Sequence, residues 1–202
     1  MILQMSMQMM DIDELVLSER ALREGLIVDW MLRHGFLEDR FSFQRSIRQR
    51  TVIHQVRGFA VNRSRAEVVA KHSLSLYDQT QKFLHKDTGV GRELLWAAAM
   101  LHSCGQHINH NAYHKHSWYL IRHGDLLGYS QSEHLMVAAI ARYHRRSIPK
   151  KRHEAWQALQ NREDRKIVAD MALLLRLAAS LDCRPEPAVD SIEVISNPSE
   201  II

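Results

Sequence analysis

Cysteine, proline and glycine are all scarce in this chain of 202 residues, at two, four and eight. Two thiols, Cys104 and Cys183, make neither a disulfide framework nor a four-cysteine zinc site. So little proline and glycine excludes collagen-like, low-complexity and linker-dominated chains. Long apolar runs are missing too: even the stretch from Ala97 to Leu101 is bounded by Glu93 and His102, far short of the roughly 20 residues that cross a bilayer. No basic-led apolar leader opens the chain, and a cytoplasmic protein is expected. What remains is 46% hydrophobic and 25% charged, enough for one sizeable core and too short for two full domains.

Charge of one sign is absent from neither half, but it is unevenly spread. Residues 1–40 hold eight acids against four bases, whereas residues 41–202 hold 15 acids against 23 bases. The main body therefore suits a polyanionic partner. Histidine is abundant, with 13 in the chain and six of them between His102 and His123.

Hydrophobic periodicity predicts helices almost throughout. Residues 1–10 are methionine-rich; residues 14–17 read as a short strand leading to Ser18, and Leu22, Leu26 and Trp30 form the stripe of a helix ending near Gly35. A second helix is expected from Ser42 through residues 43–59, with Arg45, Arg48, Arg50 and Arg57 on a solvated basic face. Ser64-Arg-Ala-Glu67 has the form of a capping box. Behind it Val69, His72, Leu76 and Phe83 share an inward face. Further helices are expected at 90–104 with Gly105 as the stop, at 112–123, from the capping box Ser130-Gln-Ser-Glu133 to His144, and at 163–182 with Ile167, Met171, Leu174, Ala178 and Leu181 inward. Residues 189–195 read as one terminal strand.

His72, His102, His116, His144 and Asp182 fall at or near the inward sides of five separate helices. A bundle builds sites from facing side chains in this way. Imidazole and carboxylate groups bind divalent metals such as magnesium or manganese, and a metal polarises phosphoryl oxygens and generates hydroxide, so the pattern suits metal-dependent phosphohydrolase chemistry. Each histidine alone would more commonly be a hydrogen-bonded core residue.

Leu101-His-Ser-Cys-Gly105, Ile108-Asn-His110 and His114-Lys-His-Ser-Trp-Tyr-Leu-Ile121 are followed in order by Ile140-Ala-Arg-Tyr-His-Arg-Arg146 and Leu175-Arg-Leu-Ala-Ala-Ser-Leu-Asp182. Together they resemble the HD-type C-terminal domain of the exopolyphosphatase/guanosine pentaphosphatase (Ppx/GppA) family. With Ser18-Glu-Arg-Ala-Leu-Arg-Glu-Gly25 the resemblance covers nearly the whole chain. It implies a mainly α protein: a remnant of an actin-like ATPase-fold domain with a short α/β element at 1–40, an HD-domain-like helical bundle at 41–184, and a tail at 185–202. The opening then reads as truncated, and the stripe at 18–34 as a face that packs on a missing domain. In the family, phosphoanhydride hydrolysis belongs to two N-terminal actin-like domains, whose glycine-rich loops cradle phosphate. Here the first glycine is Gly25, and the only close pair, Gly89-Val-Gly91, opens a helix of the wrong domain. The chain alone is therefore expected not to hydrolyse polyphosphate.

The resemblance is also incomplete at the HD site. A working HD phosphohydrolase carries Asp directly after the histidine matching His102, where this chain has Ser103; the acidic position of the last helix falls on Ala179, with Asp182 almost one turn away. The basic run from Arg142 through Arg145, Arg146, Lys150, Lys151 and Arg152 contains six fixed positive charges and no acid. Guanidinium and ammonium groups at this density pair with phosphate oxygens. The function expected is an accessory domain that binds polyphosphate and supports a homodimer. The competing readings are a free-standing metal-dependent HD phosphohydrolase acting on nucleotides or guanosine penta/tetraphosphate, and a non-catalytic dimerisation or signalling domain. Nucleic acid would satisfy the same electrostatics.

Overall fold

A computed structural model describes residues 2–9, 11, 47–81, 83–85, 89–182, 184, 188–197 and 200–201. The expected strand at 14–17, the helix at 18–34 and the helix start at Ser42 lie outside these residues. The chain divides into two compact units, Met1–Gln44 and Arg45–Ile202. The first contributes α1 (Ile2–Met9).

The second unit is a helical bundle: α2 (Ile47–Gly58), α3 (Arg63–Thr80), α4 (Val90–Leu101), a 3-10 turn (Cys104–His107), α5 (Tyr113–His123), α6 (Gln131–Tyr143), the short α7 (Glu154–Gln157) and α8 (Arg162–Leu181). Two helices form its centre. In α4 every residue from Ala97 to Leu101 is buried, and in α6 every residue from Met136 to Ala141. A stretch of helix that is apolar all round belongs inside, and the alanines of Ala97-Ala-Ala99 and Ala138-Ala139 let neighbours approach closely. Around them α3 packs on α4 and α8, α5 on α6, and α6 on both α4 and α8. Among the described residues no helix is long and apolar enough to cross a membrane.

The capping box at Ser130 forms as its sequence predicts, with Ser130 and Glu133 each satisfying the other's backbone N–H. The one expected at Ser64 does not. Asn62 caps α3 instead, its side-chain oxygen accepting from Arg65 N at 3.2 Å, because the helix begins one residue before Ser64. Phe83 lies beyond the end of α3 and is 44% exposed, and Leu181, in the last turn of α8, is 39% exposed, so neither belongs to the core as expected. Arg48 is not part of a solvated face. It forks onto both oxygens of Glu133, at 2.8 and 3.0 Å, and reaches Glu93 at 3.1 Å, joining α2 to α6 and α4.

Residues 189–195 do not form the expected strand. The segment runs beside α3, where Gln79 donates to Ile192 O at 2.8 Å and accepts from Val194 N at 2.8 Å, so a side-chain amide takes the place of a neighbouring strand. A two-residue antiparallel pair, β1 (Ser196–Asn197) and β2 (Glu200–Ile201), follows.

Gly105 does not end α4 by a left-handed turn. The helix stops at Leu101 with His102 as its cap, and Gly105 lacks a positive φ. It is the point of close approach between the 3-10 turn and α5: a Cβ there would lie 2.1 Å from Tyr113 O and 2.4 Å from Ser117 N.

Candidate functional site

Two histidines close the central helices by the same device. His102 follows α4, with Nδ1 2.7 Å from Ala99 O. His144 follows α6, with Nδ1 2.5 Å from Ala141 O. A carbonyl only accepts, so Nδ1 carries the proton in both rings and each Nε2 is left as an acceptor. The rings meet edge to face with centroids 5.1 Å apart. His144 Nε2 accepts the Tyr113 hydroxyl at 3.1 Å. Burial holds His102 below the ordinary imidazole range, and holds His144 well below it, with His102 adding to the effect. Both are neutral at physiological pH.

Asp182 caps the end of α8 with its side chain only 8% exposed. Its Oδ2 accepts from Arg65 Nε at 3.0 Å, while Arg65 Nη2 donates to Asp182 O at 2.7 Å and to Arg184 O at 3.2 Å. This pair fastens α3 to the end of α8. Asp182 Oδ1 is buried without a hydrogen-bond partner.

The five expected ligands are therefore not assembled alike. His102 and His144 touch, and Asp182 lines the same cleft as His102. His72 is buried in the core on α3, and His116 is only partly buried. On α5 the deeply buried histidine is His114, 4% exposed and pushed down to about 4 by burial and then by Arg142. Among the described residues no three His, Cys, Asp or Glu side chains are placed to hold a metal ion. The donors also do not fit one: His144 Nε2 is taken by Tyr113 and Asp182 Oδ2 by Arg65. That leaves His102 Nε2 and one carboxylate oxygen beside a guanidinium, a poor set for a divalent cation.

What the arrangement does form is a two-lobed cleft. The inner lobe, about 320 Å³, is lined among others by Arg65, His102, Ser103, Gln106 and Asp182. The outer lobe, about 520 Å³, is lined by His144, Arg145, Arg146, Arg176 and Ser180. Tyr113, Arg145 and Ala179 belong to both, and the Arg145 guanidinium lies over the Tyr113 ring, 5.1 Å from its centroid. No carboxylate lines the outer lobe. Arg146 adopts a left-handed backbone, φ 69°, a conformation that a non-glycine residue keeps only when its surroundings hold it. Arg176 supplies that hold, donating from Nη2 to Arg146 O at 2.7 Å and from Nε to His144 O at 3.4 Å.

The basic run is thus divided. Arg145 and Arg146 line the outer lobe, and Lys150, Lys151 and Arg152 are exposed on the turn before α7. Arg142 is half-buried; its Nη1 is buried without a hydrogen-bond partner, and its guanidinium lies 5.7 Å from the centre of the Tyr143 ring. Arg65 and Arg176 were not legible as cleft residues. The first sits inside a string that reads as a helix cap, the second inside an apolar helix, where a lone arginine between Leu175 and Leu177 was the available signal.

Residues 47–197 match the model of Ppx/GppA phosphatase, domain III. The chain is 31% identical over 176 residues to a guanosine-5'-triphosphate,3'-diphosphate pyrophosphatase of Pseudoalteromonas atlantica, covering 87% of this chain and 32% of that protein. It is 33% identical over 141 residues to the protein of the same description from Pseudoalteromonas translucida, covering 70% of this chain and 27% of that one. The chain thus spans about a third of the length of these relatives. Both the relatives and the domain match place it alike: the chain belongs to the Ppx/GppA phosphatase family and carries that family's domain III at residues 47–197.

Proposed function

We propose that this domain serves a Ppx/GppA-type phosphatase as a cytoplasmic accessory domain, holding a chain of phosphates and joining two copies of the protein, while phosphoanhydride cleavage is carried out by other domains. Inorganic polyphosphate is the ligand of choice. The observation that carries this reading is the outer lobe, where three arginines and no acid line one cleft of about 520 Å³. Guanidinium groups pair with successive phosphate oxygens, and a cleft of one sign concentrates polyanions. The compound in the relatives' description, guanosine-5'-triphosphate,3'-diphosphate, has short phosphate chains with the same chemistry. Leu173, Leu177 and Leu181, exposed at four-residue spacing on α8, support self-association through an apolar stripe.

Polyphosphate binding by the full chain, titrated against salt, tests the cleft. Each phosphate neutralised releases counterions, about 0.7 to 0.9 in the log–log slope per contact on a linear polyanion. Arg145→Ala with Arg146→Ala is expected to weaken binding about tenfold or more at low salt and to lower the slope by about 1.5. Lys150→Ala with Lys151→Ala, on the exposed turn, should change both less. A double arginine variant with wild-type affinity and slope would show that the cleft does not hold the phosphate chain.

A further inference from the structure

The inner lobe differs from the outer in the groups it presents and in where they come from. Arg65 arrives from α3, Arg145 from the turn after α6, and Ser103 and Gln106 from the turn after α4. Its one carboxylate, Asp182, is paired with Arg65 at 3.0 Å. With His102 neutral, the named lining groups carry two guanidinium charges against one carboxylate, together with a hydroxyl and an amide that can donate. The space is about 320 Å³, room for about ten waters at roughly 30 Å³ each. It opens beside the arginine-lined outer lobe, and Tyr113 and Arg145 form part of both walls.

The two kinds of phosphate in a linear chain differ in what they ask of a site. An internal phosphate has two bridging oxygens and one negative charge. A terminal phosphate has one bridging oxygen, three outer oxygens and, like a phosphomonoester, about −1.5 to −2 charge at neutral pH. Donors converging from three elements on a small space suit a group that can accept on three sides, whereas a row of arginines along an open cleft suits repeated single charges. We propose that the inner lobe is a chain-end site: it takes the terminal phosphate of a linear phosphate chain through Arg65, Arg145, Ser103 and Gln106, while the phosphates behind it lie past Tyr113 along Arg146 and Arg176. This rests on the outer lobe's being a phosphate cleft. It adds that the domain distinguishes an end from a middle.

The test compares ligands of similar charge with and without ends, on the full chain by calorimetry in the presence of chelator. Linear tetraphosphate has two ends, and cyclic hexaphosphate, a ring of six phosphates with one negative charge on each, has none yet carries at least as much charge. Linear tetraphosphate is expected to bind about tenfold more tightly, the scale of about one charge-assisted hydrogen bond. Arg65→Gln should reduce that preference to about threefold or less, weakening the linear chain more than the ring. Arg65 also fastens α3 to α8, so Ser103→Ala with Gln106→Ala, which leaves the ion pair intact, serves as the second variant and should narrow the preference in the same direction. A nucleoside 5'-triphosphate against linear triphosphate identifies the source of the end: weaker nucleotide binding names inorganic chains, equal or tighter binding names nucleotides, and both keep the end site. Equal binding of ring and linear chain by the wild type would overturn the end site while leaving the phosphate cleft standing. Binding of neither would overturn the cleft itself.

Discussion

Replacing Gly105 with alanine is expected to destabilise the helical unit by about 3 kcal/mol or more, a cost at the upper end of overpacking a buried site. The added Cβ would meet Tyr113 O at 2.1 Å, Ser117 N at 2.4 Å and Ser117 Oγ at 2.8 Å. Two of these are backbone atoms of α5, so no rotamer change relieves them and the helix itself must move. Movement breaks a buried chain of hydrogen bonds in which Gly105 N donates to Ser117 Oγ at 3.0 Å and Ser117 Oγ donates to His102 O at 2.8 Å. Leaving such groups unpaired adds about 1 to 3 kcal/mol. Because α5 begins at Tyr113, which belongs to both lobes, any variant that still folds should also bind phosphate chains less well. Denaturant titration measures the first effect as a lower midpoint at constant slope. Stability within about 1 kcal/mol of wild type would mean that the turn and α5 do not approach this closely. Ser117→Ala, which removes the hydroxyl without the clash, should cost less.

Mild acid should destabilise the domain through its buried histidines. His114 is held at about 4, mainly by burial and then by the positive charge of Arg142, Arg145, Lys115 and Arg146. An unfolded histidine titrates near 6.5. Between about pH 6.5 and 4 the unfolded chain therefore binds more protons than the folded one, and stability falls as acid is added. Above that window the contribution is constant. A tenfold change in proton affinity is worth about 1.36 kcal/mol, and with solvent screening of the neighbouring charges His114 alone accounts for roughly 2 kcal/mol. His102 and His144 are displaced in the same direction and steepen the decline. The ion-paired carboxylates are held low, Asp78 by Arg92, and Glu133 by the Ser130 N–H and then by Arg48. Their contribution is lost at lower pH, as the folded carboxyls protonate. Thermal or chemical unfolding from pH 7.5 to 4.5 reads this. His114→Gln should flatten the profile between pH 6.5 and 4.5, and a wild-type profile with no slope there would contradict the burial of neutral imidazole.

The helical pattern was legible because its signals are local. The three-four spacing of α6 and α8, and the reciprocal capping of Ser130 with Glu133, need no knowledge of distant residues. Where local signals compete, sequence alone does not choose between them: Asn62 and Ser64 both cap well, and only the helix register decides. Gly105 reads as a helix stop because that is glycine's commonest local use, whereas its actual role depends on α5 arriving from eight residues later. The candidate site shows the same division. His102 and His144 are legible as inward histidines, but His114 and His116, two residues apart, cannot both face inward, and the sequence pattern favours the one that the structure leaves partly exposed. A run of basic residues invites a linear reading, in which Arg142 to Arg152 act together. The cleft is assembled instead from α3, the turn after α6 and α8, so Arg65 and Arg176 join Arg145 and Arg146 from far along the chain while Arg142 turns into the fold.

Phosphate chains lying in the arginine cleft would be seen by following the arginine Nε–H signals in nuclear magnetic resonance spectra as polyphosphate is added to the full chain. Arg145, Arg146 and Arg176 should shift together and saturate with one affinity, with Arg57 and Arg63, away from the cleft lining, little changed. Shifts confined to Arg152 and its neighbouring lysines, or spread evenly over the arginines, would contradict the cleft and leave only a positively charged surface.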